Sequence, residues 1–483
     1  MSLVIGDVFR RAAAATPTRP AVSLDDDVLT FAEVESRASA IARALRDRGI
    51  ERGHRVAWWG ETATAAVPLF AALAKLGAVF VPLNPRLSDA ERAPVLEKAR
   101  PHLVLTSIDE LMDEDTRDSI DDVREPALVE DDPHVIFFTS GSTGAPKGVV
   151  LSHRANFLRS FPGYLPGGRG ATVCMFPLFH MASWSIGLGC WQAREELALV
   201  RAADADSLLA TVERRRARRI YLIPAVWHRV LAFDPSAYDV SSLKECDTGT
   251  SATPPELIDA IRAAFPGTVT RIMYGSTEAG PATTLADDDL ERKPGRVGLP
   301  GAGVELRLGE SADAGDGDAG PGGRRMGEVC VRSDFLMSGY FEDAESTRAA
   351  LVDGWYHTGD LGSLDDEGYL SIVGRVRDVI RTGGETVAPA EVEAVLVQHP
   401  AVAEVAVVGV PDPEWGEVVC AVAVMAPGAS FDLAALRAHC HGRLAGHKHP
   451  RRLEIAASLP RTPATGQVQR TLLVERLQSG ISF

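Results

Sequence analysis

The chain has 483 residues, with 50 Lys and Arg against 66 Asp and Glu, for a formal net charge of −16. That length exceeds what one hydrophobic core organises, and a balance of 45% hydrophobic to 24% charged residues excludes disorder as the main state. The acidic balance excludes a nucleic-acid polymer as a general partner, because a phosphate backbone needs a basic face; a nucleotide held by a few local donors remains compatible. No apolar run reaches the roughly 18–20 residues of a membrane span. The opening Met1-Ser-Leu-Val-Ile-Gly-Asp is too short and too soon acidic for a secretory segment, so a cytoplasmic protein is expected. Cys174, Cys190, Cys246, Cys330, Cys420 and Cys440 lie far apart without a CxxC pair, which suits buried, reduced thiols. His439, His441, His447 and His449 read as a solvated loop between helix and strand rather than a metal site, which would want cysteines or carboxylates converging as well.

In chain order, Arg55-Val-Ala-Trp-Trp-Gly reads as a strand, 62–75 as a helix and Gly77-Ala-Val-Phe-Val-Pro-Leu as the next strand. The pattern repeats at Val104 and Ile136. Such alternation predicts an α/β fold of parallel sheets covered by helices. Further on, Ile220-Tyr-Leu-Ile-Pro is a predicted strand, 225–233 a helix, and 254–265 a helix entered through two prolines. The stretch 309–327 is rich in Gly, Asp and Ala and reads as a surface loop. Strands follow at Gly327-Glu-Val-Cys-Val-Arg and Gly368-Tyr-Leu-Ser-Ile-Val-Gly, then at 402–411 and 418–425, with a helix at 433–444. This predicts a large N-terminal domain of layered sheets and helices, 1–375, and a small α+β C-terminal domain, 376–483.

The strongest chemical signal is Phe137-Phe-Thr-Ser-Gly-Ser-Thr-Gly-Ala-Pro-Lys-Gly-Val. A strand runs into Thr139, Ser140, Gly141, Ser142, Thr143 and Gly144, then Lys147. Small residues let backbone N–H groups approach phosphate oxygens, hydroxyls add donors, and the lysine offsets charge on the outer phosphates. Pro146 before Lys147 departs from a Walker A loop. A plain Ser/Gly turn needs neither the four hydroxyls nor the lysine. The stretch resembles the phosphate loop of the adenylate-forming superfamily, in its acyl-CoA synthetase branch, and later motifs follow in that family's order.

Met273-Tyr-Gly-Ser-Thr-Glu resembles the family's Tyr-Gly-x-Thr-Glu motif. Tyr274 offers a face for adenine, Gly275 and Ser276 permit close backbone approach, Thr277 brings a hydroxyl, and Glu278 a carboxylate for Mg²⁺. On residue types alone, a helix cap at Thr277 and Glu278 is an equal reading. The family's adenine loop corresponds to Gly249, Thr250 and Ser251, where relatives usually carry Gly-Gly-Ala-Pro. By resemblance, Asp360 and Arg375 hold the ribose, although a lone Asp360 would also suit an Asx turn. Arg377 matches the hinge about which the small domain turns, and Gly383 with Gly384 would line the pantetheine tunnel of coenzyme A; a Gly-Gly hairpin alone accounts equally for the last pair.

Phe176-Pro-Leu-Phe-His resembles a family motif that puts His180 near the substrate carboxylate, although a lone histidine among apolar residues is more often packed in a core. The neighbours Phe179, Met181 and Ala182 supply no carboxylate for a substrate ammonium, which disfavours an amino acid. With Trp184, Trp191, Tyr221, Ile223, Val226 and Trp227, they suit an apolar or aryl acid. Relatives end in Pro-x-Thr-x-x-Gly-Lys, whose lysine reaches the meeting anions. This chain reads Pro-Arg-Thr-Pro-Ala-Thr-Gly-Gln, so the neutral amide of Gln467 takes that place, with Arg461 and Arg470 as the nearest cations. Three readings follow: an acyl-CoA ligase using ATP, Mg²⁺ and coenzyme A on a small-molecule acid; an ATP-dependent diazotase-like enzyme activating nitrite for an aryl amine; or a non-catalytic adenylate or acyl-CoA binding protein. The intact remainder of the motif set favours the first, with catalytic roles for Lys147, His180, Thr277, Glu278, Arg375 and Gln467. The sequence leaves a homodimer open.

Overall fold

The computed structural model describes residues 3–111, 123–140, 146–160, 170–309, 319–320, 324–461 and 466–479. The chain packs as two compact units. One holds Met1–Gly295, Pro300–Glu305 and Arg332–Tyr356; the other holds Arg296–Leu299, Leu306–Val331 and His357–Phe483.

The first unit is built on two sheets. In one, Pro133–Ser140, Val79–Pro82, Arg55–Trp58 and Leu103–Leu105 lie parallel in that spatial order, and Pro146–Ser152 folds back antiparallel on Pro133–Ser140. In the other, the parallel run is Pro20–Leu24, Leu197–Leu199, Thr172–Cys174, Arg219–Tyr221, Glu245–Gly249 and Ile272–Ser276. Antiparallel strands close both ends of that run: Asp27–Thr30 beside the first and Gly280–Leu285 beside the last. The alternation of apolar strand and helical segment thus yields parallel sheets, as expected.

Local sequence accounts for the covering helices. Phe31–Asp47 begins with a capping box between Thr30 and Glu33 and buries Phe31, Val34, Ala38, Ile41 and Leu45 at helical spacing. Ala66–Leu76 is buried on every side and ends at Gly77, whose φ of +67° suits glycine. It starts four residues later than the sequence reading placed it, with Pro68 in the first turn, where a missing N–H costs no helical bond. The helix Pro255–Ala264 also starts on a proline. Between the sheets, Phe70 stacks on Trp184 with centroids 4.3 Å apart and meets Phe80 edge-on at 5.6 Å.

In the second unit, residues 360–364 of the strand Trp355–Leu364 pair with Leu370–Arg375. A second sheet carries the long hairpin of Val402–Asp412 and Gly416–Met425, and both Ile380–Thr382 and Arg452–Ile455 pair with Gly416–Met425, the first at Gly416 and the second along 420–423. Val408, Cys420, Val422 and Leu473 fill one face; Val407, Val419, Ala421, Val392 and Leu436 fill the opposite one. Burial on both faces explains why 405–410 and 418–424 read as nearly unbroken small apolar residues. The helix expected at 433–444 stops at Cys440, and Gly442 turns with φ +78°. All six cysteines are buried free thiols. Most of the expected loop at 309–327 lies outside the described residues.

Candidate functional site

The phosphate-loop motif is flanked by two paired antiparallel strands, Pro133–Ser140 and Pro146–Ser152. Thr139 faces Lys147 and Ser140 faces Pro146 across the ladder, and the Thr139 hydroxyl donates to the Lys147 carbonyl at 3.4 Å. Gly141, Ser142, Thr143 and Gly144 lie outside the described residues, as does the Ser140 side chain. The hairpin's outer strand pairs with the short strand Gly339–Tyr340, with Tyr340 opposite Val149. That pairing sets the Lys147 ammonium 5.0 Å from the centroid of the Tyr340 ring.

Thr277 and Glu278 form the tip of a second hairpin, between Ile272–Ser276 and Gly280–Leu285. A β-turn therefore holds them, and no helix follows for them to cap. Gly275 is required there: a Cβ would lie 2.2 Å from the Gly280 carbonyl oxygen. Two groups brace the tip. Arg159, 5% exposed, donates to the carbonyls of Thr277 at 2.8 Å and Phe335 at 2.5 Å, and the Met337 N–H donates to the Glu278 carbonyl at 2.8 Å. Burial lowers the Arg159 guanidinium to about 9, against the opposing pull of Glu278, so it stays protonated at neutral pH. The Glu278 carboxylate itself accepts the Tyr340 hydroxyl at 3.1 Å. Burial, reinforced by the Glu278 charge, pushes that phenol well above its ordinary range.

The carboxyl ends of the parallel strands gather the remaining groups of this unit, the edge at which open α/β sheets bind ligands. Glu245–Gly249 and Ile272–Ser276 run side by side, with Gly249 opposite Met273. A Cβ on Gly249 would lie 2.1 Å from the Met273 carbonyl oxygen, so backbone there approaches backbone as only glycine allows. Thr250 adopts a left-handed φ of +71°, and its hydroxyl meets the Tyr221 hydroxyl at 3.1 Å. Ser251 is exposed beyond it. Phe176 lies 5.6 Å from Tyr221 and stacks on His180 at 5.0 Å.

His180 caps the helix Met181–Ala193, its Nδ1 accepting the Ala182 N–H at 3.1 Å. Burial holds its pKa down to about 4, so it is a neutral imidazole at pH 7. Trp184 and Trp227, read from sequence as pocket residues, fill the core behind this edge. Trp184 donates to the Leu178 carbonyl at 2.6 Å and Trp227 to the Asp247 carbonyl at 3.1 Å. Such large apolar rings fill the layer beneath the strand ends, and backbone oxygens satisfy their only donors.

In the second unit, Asp360 and Arg375 face each other across the antiparallel pair, Arg375 Nε to Asp360 Oδ1 being 2.8 Å. Asp360 therefore lies within a strand. Arg375 also donates to the Thr358 carbonyl at 3.2 Å. Glu328 braces the turn before Asp360, accepting the Gly359 N–H at 2.9 Å and lying 2.8 Å from His357 Nδ1. Arg377 is exposed in the one-turn helix Val376–Asp378. Gly383 and Gly384 turn a hairpin with φ of +62° and +86°; the Trp415 ring underlies Gly383, and a Cβ on Gly384 would meet open space. Gln467 is exposed, ahead of the helix Arg470–Ser479. Both nearby arginines have carboxylate partners: Arg461 with Glu404 at 2.5 Å, and Arg470 with Glu393 at 2.7 Å.

Arg159, Tyr340 and Glu328 were missed from sequence. Each acts on a motif from a remote segment, and nothing in its own local run of residues marks it.

Residues 9–341 match the family described as AMP-binding enzyme, and residues 391–465 match the AMP-binding enzyme C-terminal domain. A feruloyl-CoA synthase from Amycolatopsis sp is 33% identical over 95% of this chain and 97% of its own length. An indoleacetate–CoA ligase from Aromatoleum aromaticum is 32% identical, with 95% of each chain covered. The solved o-succinylbenzoate CoA synthetase from Bacillus subtilis, in complex with its acyl-adenylate intermediate, superposes with a TM-score of 0.85 at 26% identity, covering 96% of this chain and 97% of the other.

Proposed function

Because the chain belongs to the AMP-binding enzyme family, within the adenylate-forming superfamily, we propose that it activates an apolar or aryl carboxylic acid and passes the acyl group to coenzyme A. It is an AMP-forming acid–thiol ligase that uses ATP, Mg²⁺ and coenzyme A. The observation that carries the finer reading is the strand-end cluster: Phe176, neutral His180 and Tyr221 border the edge at which Gly249 and Tyr274 emerge. A flat ring suits such a border, and a neutral imidazole gives a substrate ammonium no counter-charge. The names of the two curated relatives, for feruloyl and indoleacetate groups, point to aryl acids as well.

In this reading Lys147 faces the outer phosphates, with Thr139, Ser140 and the loop residues Gly141, Ser142, Thr143 and Gly144 beside it. The backbone at Gly249, Thr250 and Ser251 and the ring of Tyr274 receive adenine. Gly275, Ser276 and Thr277 border the phosphates, and Asp360 with Arg375 takes the ribose. The residues fit both guests. Gly249 and Gly275 let their strand ends lie against neighbouring backbone that any Cβ would strike, and Glu278 offers the hard oxygen donor that Mg²⁺ prefers. When bound, Mg²⁺ supplies Lewis-acid charge to the phosphates. Arg377 serves as the hinge of a C-terminal domain beginning at 376, and Gly383 with Gly384 faces the pantetheine arm. Trp184 and Trp227 form the rigid wall behind the acid. Among the described residues no helix is long and apolar enough to cross a membrane, and we take the working location as cytoplasmic. A homodimer is tested by light scattering.

Gln467 carries no charge, and Arg461 and Arg470 are committed to Glu404 and Glu393. Lys147 and the metal therefore supply most of the positive field for adenylation. The same observation supports a second reading, in which nitrite replaces the carboxylate and an aryl amine the thiol. Pyrophosphate release from purified protein decides, measured on a panel of aryl and fatty acids with and without coenzyme A, then on nitrite with an aryl amine. A CoA thioester of an aryl or apolar acid is expected. Turnover confined to nitrite and amine would sink the carboxylate reading.

A further inference from the structure

Lys147 and Glu278 sit on two different hairpins and bear opposite charges. Left side by side in a partly buried place they would pair, and each would lose the charge its guest needs. Tyr340 stands against both: its ring face lies 5.0 Å from the ammonium, and its hydroxyl donates to the carboxylate at 3.1 Å. We propose that Tyr340 is a positioning residue that keeps Lys147 and Glu278 separate and aimed, the ring holding one and the hydroxyl the other.

Three observations support this. Tyr340 is itself fixed: it pairs with Val149 in the ladder, and its N–H donates to the Thr347 hydroxyl at 2.8 Å, which in turn donates to the Asp343 carbonyl at 2.7 Å. An aromatic face binds an ammonium more weakly than a carboxylate does in the same surroundings, so the ring can hold Lys147 without competing with phosphate. The hydroxyl takes only one carboxylate oxygen of Glu278 and leaves the other for a metal. Tyr340 thus touches neither guest and acts through the two residues that do.

The inference rests on the assignment of Lys147 to phosphate and Glu278 to Mg²⁺, so the experiment tests both levels. ATP binding is measured by calorimetry across a Mg²⁺ titration, with the full-length protein and no acid present. Lys147→Ala and Glu278→Gln calibrate the assay. Tyr340→Phe, which keeps the ring and the fold, should leave ATP affinity at low Mg²⁺ within about twofold while raising the Mg²⁺ needed for half-saturation several-fold. Tyr340→Leu, which loses both contacts, should also weaken ATP by roughly tenfold. A purely structural tyrosine would not separate the two readouts in this way. If both Tyr340 variants bind as wild type does while the calibrating variants fail, the proposal is overturned and the site reading stands. If the calibrating variants also bind as wild type does, the site reading falls and takes the proposal with it.

Discussion

The two halves of the candidate chemistry are built differently. In the first unit, the groups assigned to ATP lie on strand ends and hairpin tips braced from behind: Thr277 and Glu278 by Arg159 and Met337, and Gly249 by the adjoining strand. In the second unit, Gln467 sits exposed just before the bridge of Val468 to Arg461 and ahead of the last helix. The difference teaches that the groups assigned to the nucleotide are held in place by folding, whereas the group assigned to assist adenylation is carried on an exposed segment and has changed its chemistry. A braced site resists substitution because its backbone has no room; an exposed one accepts it.

The sharpest way to break this comparison is Gly249→Ala. The added methyl would press into the Met273 carbonyl, and the φ of +150° disfavours any side chain. ATP affinity should fall by about tenfold or more, and thermal stability by roughly 1–3 kcal/mol, read by calorimetry and melting. Wild-type affinity would show that the strand end does not meet the nucleotide.

Gln467→Lys comes next. Restoring a cation should speed adenylation of carboxylates by roughly tenfold, a fraction of the few kcal/mol such charges supply elsewhere, and should leave stability within about 0.5 kcal/mol. Pyrophosphate exchange measures the first and melting the second. Slower exchange with a faster nitrite reaction would move the balance to the diazotase reading.

The smallest effect concerns pH. His180 has a folded pKa of about 4, below the unfolded value near 6.5. The unfolded chain therefore takes up its proton first as pH falls from about 6.5 towards 4, and stability declines through that window. His153, also lowered to about 4 by burial, adds to the slope. His180→Asn should flatten the dependence of unfolding on pH between 4 and 6.5 without removing it, because His153 remains. A profile unchanged by the substitution would show that His180 is not held neutral. Above pH 6.5 this imidazole should add no titration to turnover.

Much of the layered architecture was legible because strand and helix periods alternate cleanly from Arg55 onward and because Gly and Pro mark the ends. The hairpins were legible less as hairpins than as motifs: Thr277 and Glu278 read equally well as a helix cap, and only the pairing of Ser276 with Gly280 settles the matter. Tyr340 and Arg159 were not legible at all. Each reaches Glu278 or its neighbour across 62 to 118 positions, and such contacts follow from sheet pairing rather than local pattern. The indoles of Trp184 and Trp227 looked suited to a pocket because residue type alone does not say which side of a strand end a ring will fill.

Thr250 links the places assigned to acid and nucleotide. A β-branched residue tolerates left-handed backbone poorly, at a cost of roughly 1–2 kcal/mol, and here the phenol oxygen of Tyr221 helps hold it there. The same phenol borders the space read as the acid's. On the proposed assignment, a guest that drew this hydroxyl to itself would loosen the loop assigned to adenine, and acid and nucleotide would share a single oxygen atom.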